Sequence, residues 1–337
     1  MRKLLIILIV AIVSQSCEKI LFEPDLASTN PYDNFDYLWD EADRKYSYFE
    51  LKNIDWNEIK TTYRAKLFPG MSEDSLFNVL KAMLFELRDD HTNLISPFNI
   101  AIYYVELQSP PNFFARTIQD YYLKENVYYT GAFTHAFLAN NRVGYIRYSS
   151  FMDSFSDEQL DFILNRYKDT DGLILDMRMN GGGSLFIVPQ ILGRFVETNT
   201  TVCYFITRNG RNHNDFSDRE SFVITPHDGI RYKKPVMVLI DRGSYSATTH
   251  FALATKALSN IVLVGDTTGG GGGLPNGGQL PNGWTYRFSI GQALDLEGNN
   301  YAEDGVPPDI VAQFDWSDLT KDEIIDRAID EILTVKK

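Results

Sequence analysis

The sequence is poor in cysteine, in histidine and in positive charge, and each shortage narrows what the chain can be. Two cysteines, Cys17 and Cys203, in 337 residues cannot build a disulfide framework. The five histidines show no His-x-x-x-His spacing and no paired cysteines accompany them, so although His91 with nearby carboxylates could in principle hold a metal, no metal and no cofactor is expected. With 32 Lys and Arg against 45 Asp and Glu, the net charge of −13 repels phosphate and argues against nucleic acid as a partner. Neither G-x-G-x-x-G nor G-x-x-x-x-G-K-[ST] occurs, which removes the common nucleotide loops. Long apolar runs are missing too. The longest, residues 4–13, is about 15 Å of helix against a hydrocarbon core of about 30 Å.

That run follows Met1-Arg2-Lys3 and precedes Ser14-Gln15-Ser16-Cys17, a basic, apolar and small-residue order typical of an export signal. A cysteine at the cleavage point resembles a bacterial lipoprotein signal. The expectation is a signal peptide over 1–16, lipidation of Cys17, a tether over 17–31, and attachment to the bacterial cell envelope. Cys203 is then left as a lone thiol.

Aromatic residues make up 13% of the chain, enough for a sizeable core. Apolar spacing predicts three helices, over 32–48, 55–66 and 73–88, in a helical domain of residues 32–98. Residues 99–140 read as connecting short strands. From 141 to 337 strands and helices alternate: strands at 143–148, 172–178, 202–208, 235–241 and 261–265, and helices at 157–167, 185–196, 247–258 and 321–335. Such alternation implies a sheet covered by helices, an α/β or α+β domain. Residues 269–283, with eight glycines and two prolines, read as a mobile loop, and 286–290 as an edge strand.

Four places carry candidate chemistry. Gly243-Ser244-Tyr245-Ser246-Ala247 lies between a buried strand and a helix. A serine there presents its hydroxyl at the sheet edge, beside free N–H groups of the helix N-terminus. Either Ser244 or Ser246 could equally be a helix cap. Asn180-Gly181-Gly182-Gly183 follows a buried strand, where glycines let backbone N–H groups approach a ligand or simply make a turn. His91, after Asp89-Asp90, could be the base a serine needs or a solvated helix end. His250 shares a helix with Ser246 and should point away from the sheet edge. Glu303 and Asp304 precede the rigid turn Gly305-Val306-Pro307-Pro308.

Taken in order, Asp90-His91-Thr92, residues 176–183, residues 243–247, residues 264–270 and Gly305-Val306-Pro307-Pro308-Asp309-Ile310 resemble the C-terminal processing (tail-specific) serine peptidases, which include the tricorn core protease. The resemblance implies a three-helix start followed by a crotonase-like catalytic domain over 141–337, and a polypeptide substrate. It implies Ser246 as nucleophile, with the Ala247 amide and one of Gly181 or Gly182 as oxyanion donors. One branch of the family activates its serine with a lysine, but Gly271 occupies that position here. The tricorn-like branch uses a Ser-His pair and a late glutamate. His91 matches that histidine, Asp90 stands at the serine position, and Glu303 fits the acid better than Asp304. Residues 98–142 are too few for the PDZ domain that many relatives insert. The departures at Gly271 and Asp90 leave a second reading open, a catalytically inactive peptide- or ligand-binding protein on the same fold. A non-peptidase esterase is a third, but its G-x-S-x-G elbow is not met, since Ser244 and Thr248 stand where the glycines would be. Oligomeric state is not legible.

Overall fold

The computed structural model describes residues 26–104, 111–124 and 126–334. The export signal, Cys17 and most of the tether lie outside these residues. Among the described residues no helix is long and apolar enough to cross a membrane.

Three helices open the chain: α1 (Pro31–Lys45), α2 (Trp56–Arg64) and α3 (Glu73–Phe85). Each starts where a side chain accepts an orphan N–H: Asn30 from Tyr32, Asp55 from Glu58 and Ser72 from Ser75. Their apolar faces do not close on one another alone. Phe35, Leu38, Phe77 and Leu80 pack with Leu94, Trp284, Tyr286 and Phe288, which belong to strands β1 (Asn93–Ile95) and β12 (Thr285–Leu294) and the turn before β12.

The alternating region holds β3 (Tyr128–Thr130), β4 (Phe133–Leu138), β5 (Val143–Tyr148), α4 (Asp157–Tyr167), β6 (Gly172–Asp176), α5 (Ile187–Leu192), β9 (Val236–Ile240), α6 (Ala247–Thr255), β10 (Ile261–Gly265), β13 (Ile310–Val311) and α7 (Glu323–Thr334). Seven strands form one sheet in the order β13-β10-β9-β6-β5-β4-β3. From β13 to β5 neighbours run parallel, and β4 and β3 add antiparallel. Both faces are covered, as parallel strands require. Leu173, Leu175, Val236 and Val238 meet α4, α5 and α6 on one face. Ile174, Met237, Leu239 and Val264 meet α7 on the other.

A second sheet runs β2-β1-β12-β7-β8, with β2 (Ile100–Ile102), β7 (Thr200–Thr207) and β8 (Glu220–Ile224); β11 (Gly273–Gln279) pairs with β12. Two expectations are corrected here. Residues 273–279 of the supposed loop are a strand, held by β12 although they supply few side chains. Residues 286–290 are not an edge, because β11 pairs with β12 on one side while β1 and then β7 pair with it on the other. The helix expected at 185–196 is short, and β8 was not anticipated. Residues 99–140 contribute β2, β3 and β4, with a helical segment between (Ala115–Thr117, then Ile118–Tyr122).

The loop after β6 is anchored from below. Arg178 is fully buried and pairs with Asp176 at 2.7 Å and Asp322 at 2.9 Å, tying the foot of α7 to this loop. The two acids satisfy a charge that could not otherwise be buried.

Candidate active site

The chain leaves β9 through a tight turn built on Asp241. The Asp241 carboxylate accepts the N–H of Gly243 at 3.0 Å and of Met179 at 2.8 Å, joining this turn to the loop after β6. Ser244 is buried, and its Oγ donates to Met177 O at 2.9 Å and accepts the Asp241 N–H at 3.1 Å. Ser244 therefore fixes the turn and is withdrawn from the reacting groups. Ser246, just before α6, has φ 55° and ψ −116°. A non-glycine residue at positive φ is strained, and the surroundings must hold it there. They do so through the Ser246 N–H to Gly270 O at 3.1 Å and the Tyr245 N–H to Asn180 O at 2.9 Å.

Ser246 Oγ lies 3.2 Å from His91 Nε2. The His91 main chain is fixed by its N–H to Asp89 Oδ1 at 2.9 Å and by Arg287 Nε donating to His91 O at 3.3 Å. The ring is buried, 5% exposed, and the Tyr245 ring lies 5.5 Å away. Burial lowers the imidazole pKa most; Asp89 opposes this, while Arg287 and Lys52 add to it. A lowered pKa keeps the ring neutral near pH 7, the form a general base requires. His250 is buried and packs against Phe205, and burial pushes its pKa down to about 4.

Beside Ser246 the amides of Gly181 and Ala247 donate to no protein acceptor among the described residues. The Gly182 N–H is different, because it donates to Asn180 Oδ1 at 3.0 Å. The choice between Gly181 and Gly182 thus narrows to Gly181. Gly182 matters by its size: a Cβ there would lie 2.8 Å from Ser246 Cβ and 2.9 Å from Ala247 N.

The acid stands close, but its partner was unforeseen. Glu303 Oε1 accepts from Lys52 Nζ at 2.6 Å, and Oε2 is buried with no partner. His91 Nδ1 also has no partner, so Glu303 makes no hydrogen bond to His91 in this structure. Burial first, then Asp89, push the Glu303 pKa up to about 7 against the pull of Lys52. Asp304 is exposed, which leaves Glu303 as the acid inside the site. Asp90 is half-buried, and burial with the charges of Asp89 and Glu303 pushes its pKa up to about 8. Gly271 leaves no room for a lysine: φ is +70°, and a Cβ would lie 2.1 Å from Tyr245 Cζ.

Lys52 and Arg287 were not anticipated from the sequence, and Asn180 was singled out only as the first residue of the glycine motif. Lys52 meets Glu303 across 251 residues, a pairing with no local signature. Asp89 was legible in principle, since an acid two residues before a site residue readily accepts its N–H.

Comparison with known proteins fits this geometry. The family model "Peptidase family S41" matches residues 142–312, half of the chain. The chain belongs to peptidase family S41. A second model, "Tricorn protease C1 domain", matches residues 29–85, the helical start of this S41 chain. Carboxy-terminal processing protease CtpB of Bacillus subtilis is 30% identical over 50% of the chain and 33% of its own length. The chain spans about a third of the length of the curated relatives it matches. A solved structure of a candidate peptidase from Parabacteroides merdae ATCC 43184 is 36% identical, with TM-score 0.85, covering 91% of this chain and 98% of that one. Mature CPAF, 13% identical, shares the fold with TM-score 0.66 over 91% of this chain and 97% of its own. The S41 fold here is the crotonase-like α/β arrangement.

Proposed function

We propose that this S41 protein is a serine endopeptidase working through an acyl-enzyme, with Ser246 as nucleophile and His91 as base. The observation that carries the reading is the 3.2 Å approach of Ser246 Oγ to His91 Nε2 at a strained strand-to-helix turn. Nε2 takes the hydroxyl proton as Oγ bonds to the scissile carbonyl carbon. The carbonyl oxygen becomes an oxyanion held by the Gly181 and Ala247 N–H groups. His91 then returns the proton to the leaving amine, and water cleaves the ester by the same steps in reverse. One such amide is worth on the order of 10²–10³ in rate. For Nε2 to accept, the ring proton sits on Nδ1, which is buried without a partner, as are Asp89 Oδ2 and Glu303 Oε2. Exposed Met152, Met179 and Phe186, on the segments beside Gly181–Gly183, offer apolar contacts for a polypeptide substrate.

The protein is further proposed to be exported and anchored through lipidated Cys17 to the bacterial cell envelope, on the strength of residues 1–17 alone. A second reading, a binding protein without catalysis, draws on the Lys52–Glu303 pair, which leaves His91 Nδ1 without an acid.

Reaction with a fluorophosphonate serine probe separates the two. The peptidase reading expects labelling of the native chain and none of Ser246→Ala or His91→Ala. Labelling of His91→Ala would show the base misassigned, and failure of the native chain to label would favour the binding protein.

A further inference from the structure

Behind the Ser246–His91 pair lies a cluster that acyl transfer leaves unused. Ligand atoms of Asp89, Asp90 and His91 all lie within 4.8 Å of one another. Asp89 is 1% exposed and His91 5%. Asp89 Oδ2 and His91 Nδ1 are buried without a partner, and so is Oε2 of the neighbouring Glu303, itself on a different element. Lys52 is the ammonium among these three carboxylates, and it is committed to Glu303 Oε1 and Arg88 O. Buried polar atoms are nearly always satisfied, and orphans on neighbouring residues call for a ligand able to satisfy several at once. Two carboxylates and an imidazole nitrogen suit a borderline divalent metal. Magnesium and calcium prefer oxygen alone.

We propose that Asp89, Asp90 and the Nδ1 edge of His91 form a site for a divalent transition-metal cation whose binding switches Ser246 off. The switching rests on His91 being the base; the site itself does not. A neutral imidazole carries one ring proton. When it sits on Nδ1, Nε2 has the lone pair that takes the Ser246 proton. A metal bound through the Nδ1 lone pair requires the ring proton on Nε2. Nε2 then donates toward Ser246 Oγ, the hydroxyl keeps its proton, and attack stops. The ring gains one metal–nitrogen bond and keeps one proton, which moves from Nδ1 to Nε2 by way of solvent.

The test is calorimetric titration of the full chain with Zn²⁺, with Mg²⁺ as control. One Zn²⁺ is expected per chain in the native protein and in Ser246→Ala, with no heat from Mg²⁺. Asp90→Asn and His91→Gln should each weaken binding at least about tenfold. Saturating Zn²⁺ should abolish fluorophosphonate labelling of the native chain, and a chelator should restore it. Circular dichroism checks that the variants fold; should His91→Gln fail, the isosteric Asp90→Asn carries the test. No Zn²⁺ binding by the native chain, or equal binding by both variants, overturns the site. Site-dependent binding that leaves labelling intact overturns the switch. If Zn²⁺ binds as expected but the chain never labels even with chelator, the site stands and the peptidase reading falls.

Discussion

Lys52 Nζ and Glu303 Oε1 meet at 2.6 Å, with side chains 13% and 6% exposed. The pair joins the segment after α1 to the turn after β12, and it engages one of the two Glu303 carboxylate oxygens. Removing one partner strands a buried charge. Lys52→Met should therefore cost about 3 kcal/mol of stability, read by denaturant unfolding. Lys52→Met/Glu303→Gln should recover much of that loss. Equal stabilities of Lys52→Met and the double variant would show that the lysine's removal strands no costly charge on Glu303.

The lysine of the other S41 branch should not be transplantable. Gly271→Lys places a Cβ against the Tyr245 ring at a backbone angle that L residues avoid. The expected result is a loss of about 2 kcal/mol or more and no gain in labelling, measured by thermal melt and probe reaction on one preparation.

The two glycines beside the serine should separate. A Cβ at Gly181 meets nothing within 4 Å, and the residue keeps its N–H, so Gly181→Ala should label close to the native rate. Gly182→Ala pushes directly on Ser246 and Ala247 and should label at least about tenfold slower, since small displacements at reacting atoms are costly. Labelling-rate constants decide it.

The two serines should separate as well. Ser244→Ala leaves the Asp241 N–H without its acceptor and should cost about 1–2 kcal/mol, while keeping the probe reaction. Ser246→Ala should show the reverse pattern, with stability kept and reaction lost.

His135 gives a pH signature away from the site. Its ring contacts Thr130 Oγ1 at 2.9 Å and the Tyr167 hydroxyl at 2.8 Å, and burial with the Arg166 charge pushes its pKa down to about 4. The unfolded chain takes up a proton near 6.5 that the folded chain refuses. The contribution is thus complete above about 6.5 and is lost as pH falls toward 4, with a slope near 1.4 kcal/mol per pH unit. His135→Gln should flatten that part of the stability curve between pH 7 and 5.

Much of the site was readable from residue order because its local geometry is local in sequence. The turn carrying Ser246, the glycine loop after β6 and His91 at the end of the helical region each follow from short segments. What escaped depends on distant partners. Residues 273–279 have too few side chains to show alternation, and only β12 makes them a strand. The stretch 286–290 alternates as an edge strand would, and nothing in it reveals that β1 lies on its far side. The pairing of Glu303 with Lys52 depends on where α1 ends relative to a turn far down the chain.

The pairing of β1 with β12 has a consequence for how the chain is made. His91 leaves the ribosome early and Ser246 follows 155 residues later. Arg287, which holds the His91 main chain, comes later still, on the strand that completes the sheet. Contacts between such distant segments form late in folding. During synthesis Ser246 therefore emerges before the strand that carries Arg287 exists, and the approach of Ser246 to His91 waits for that strand.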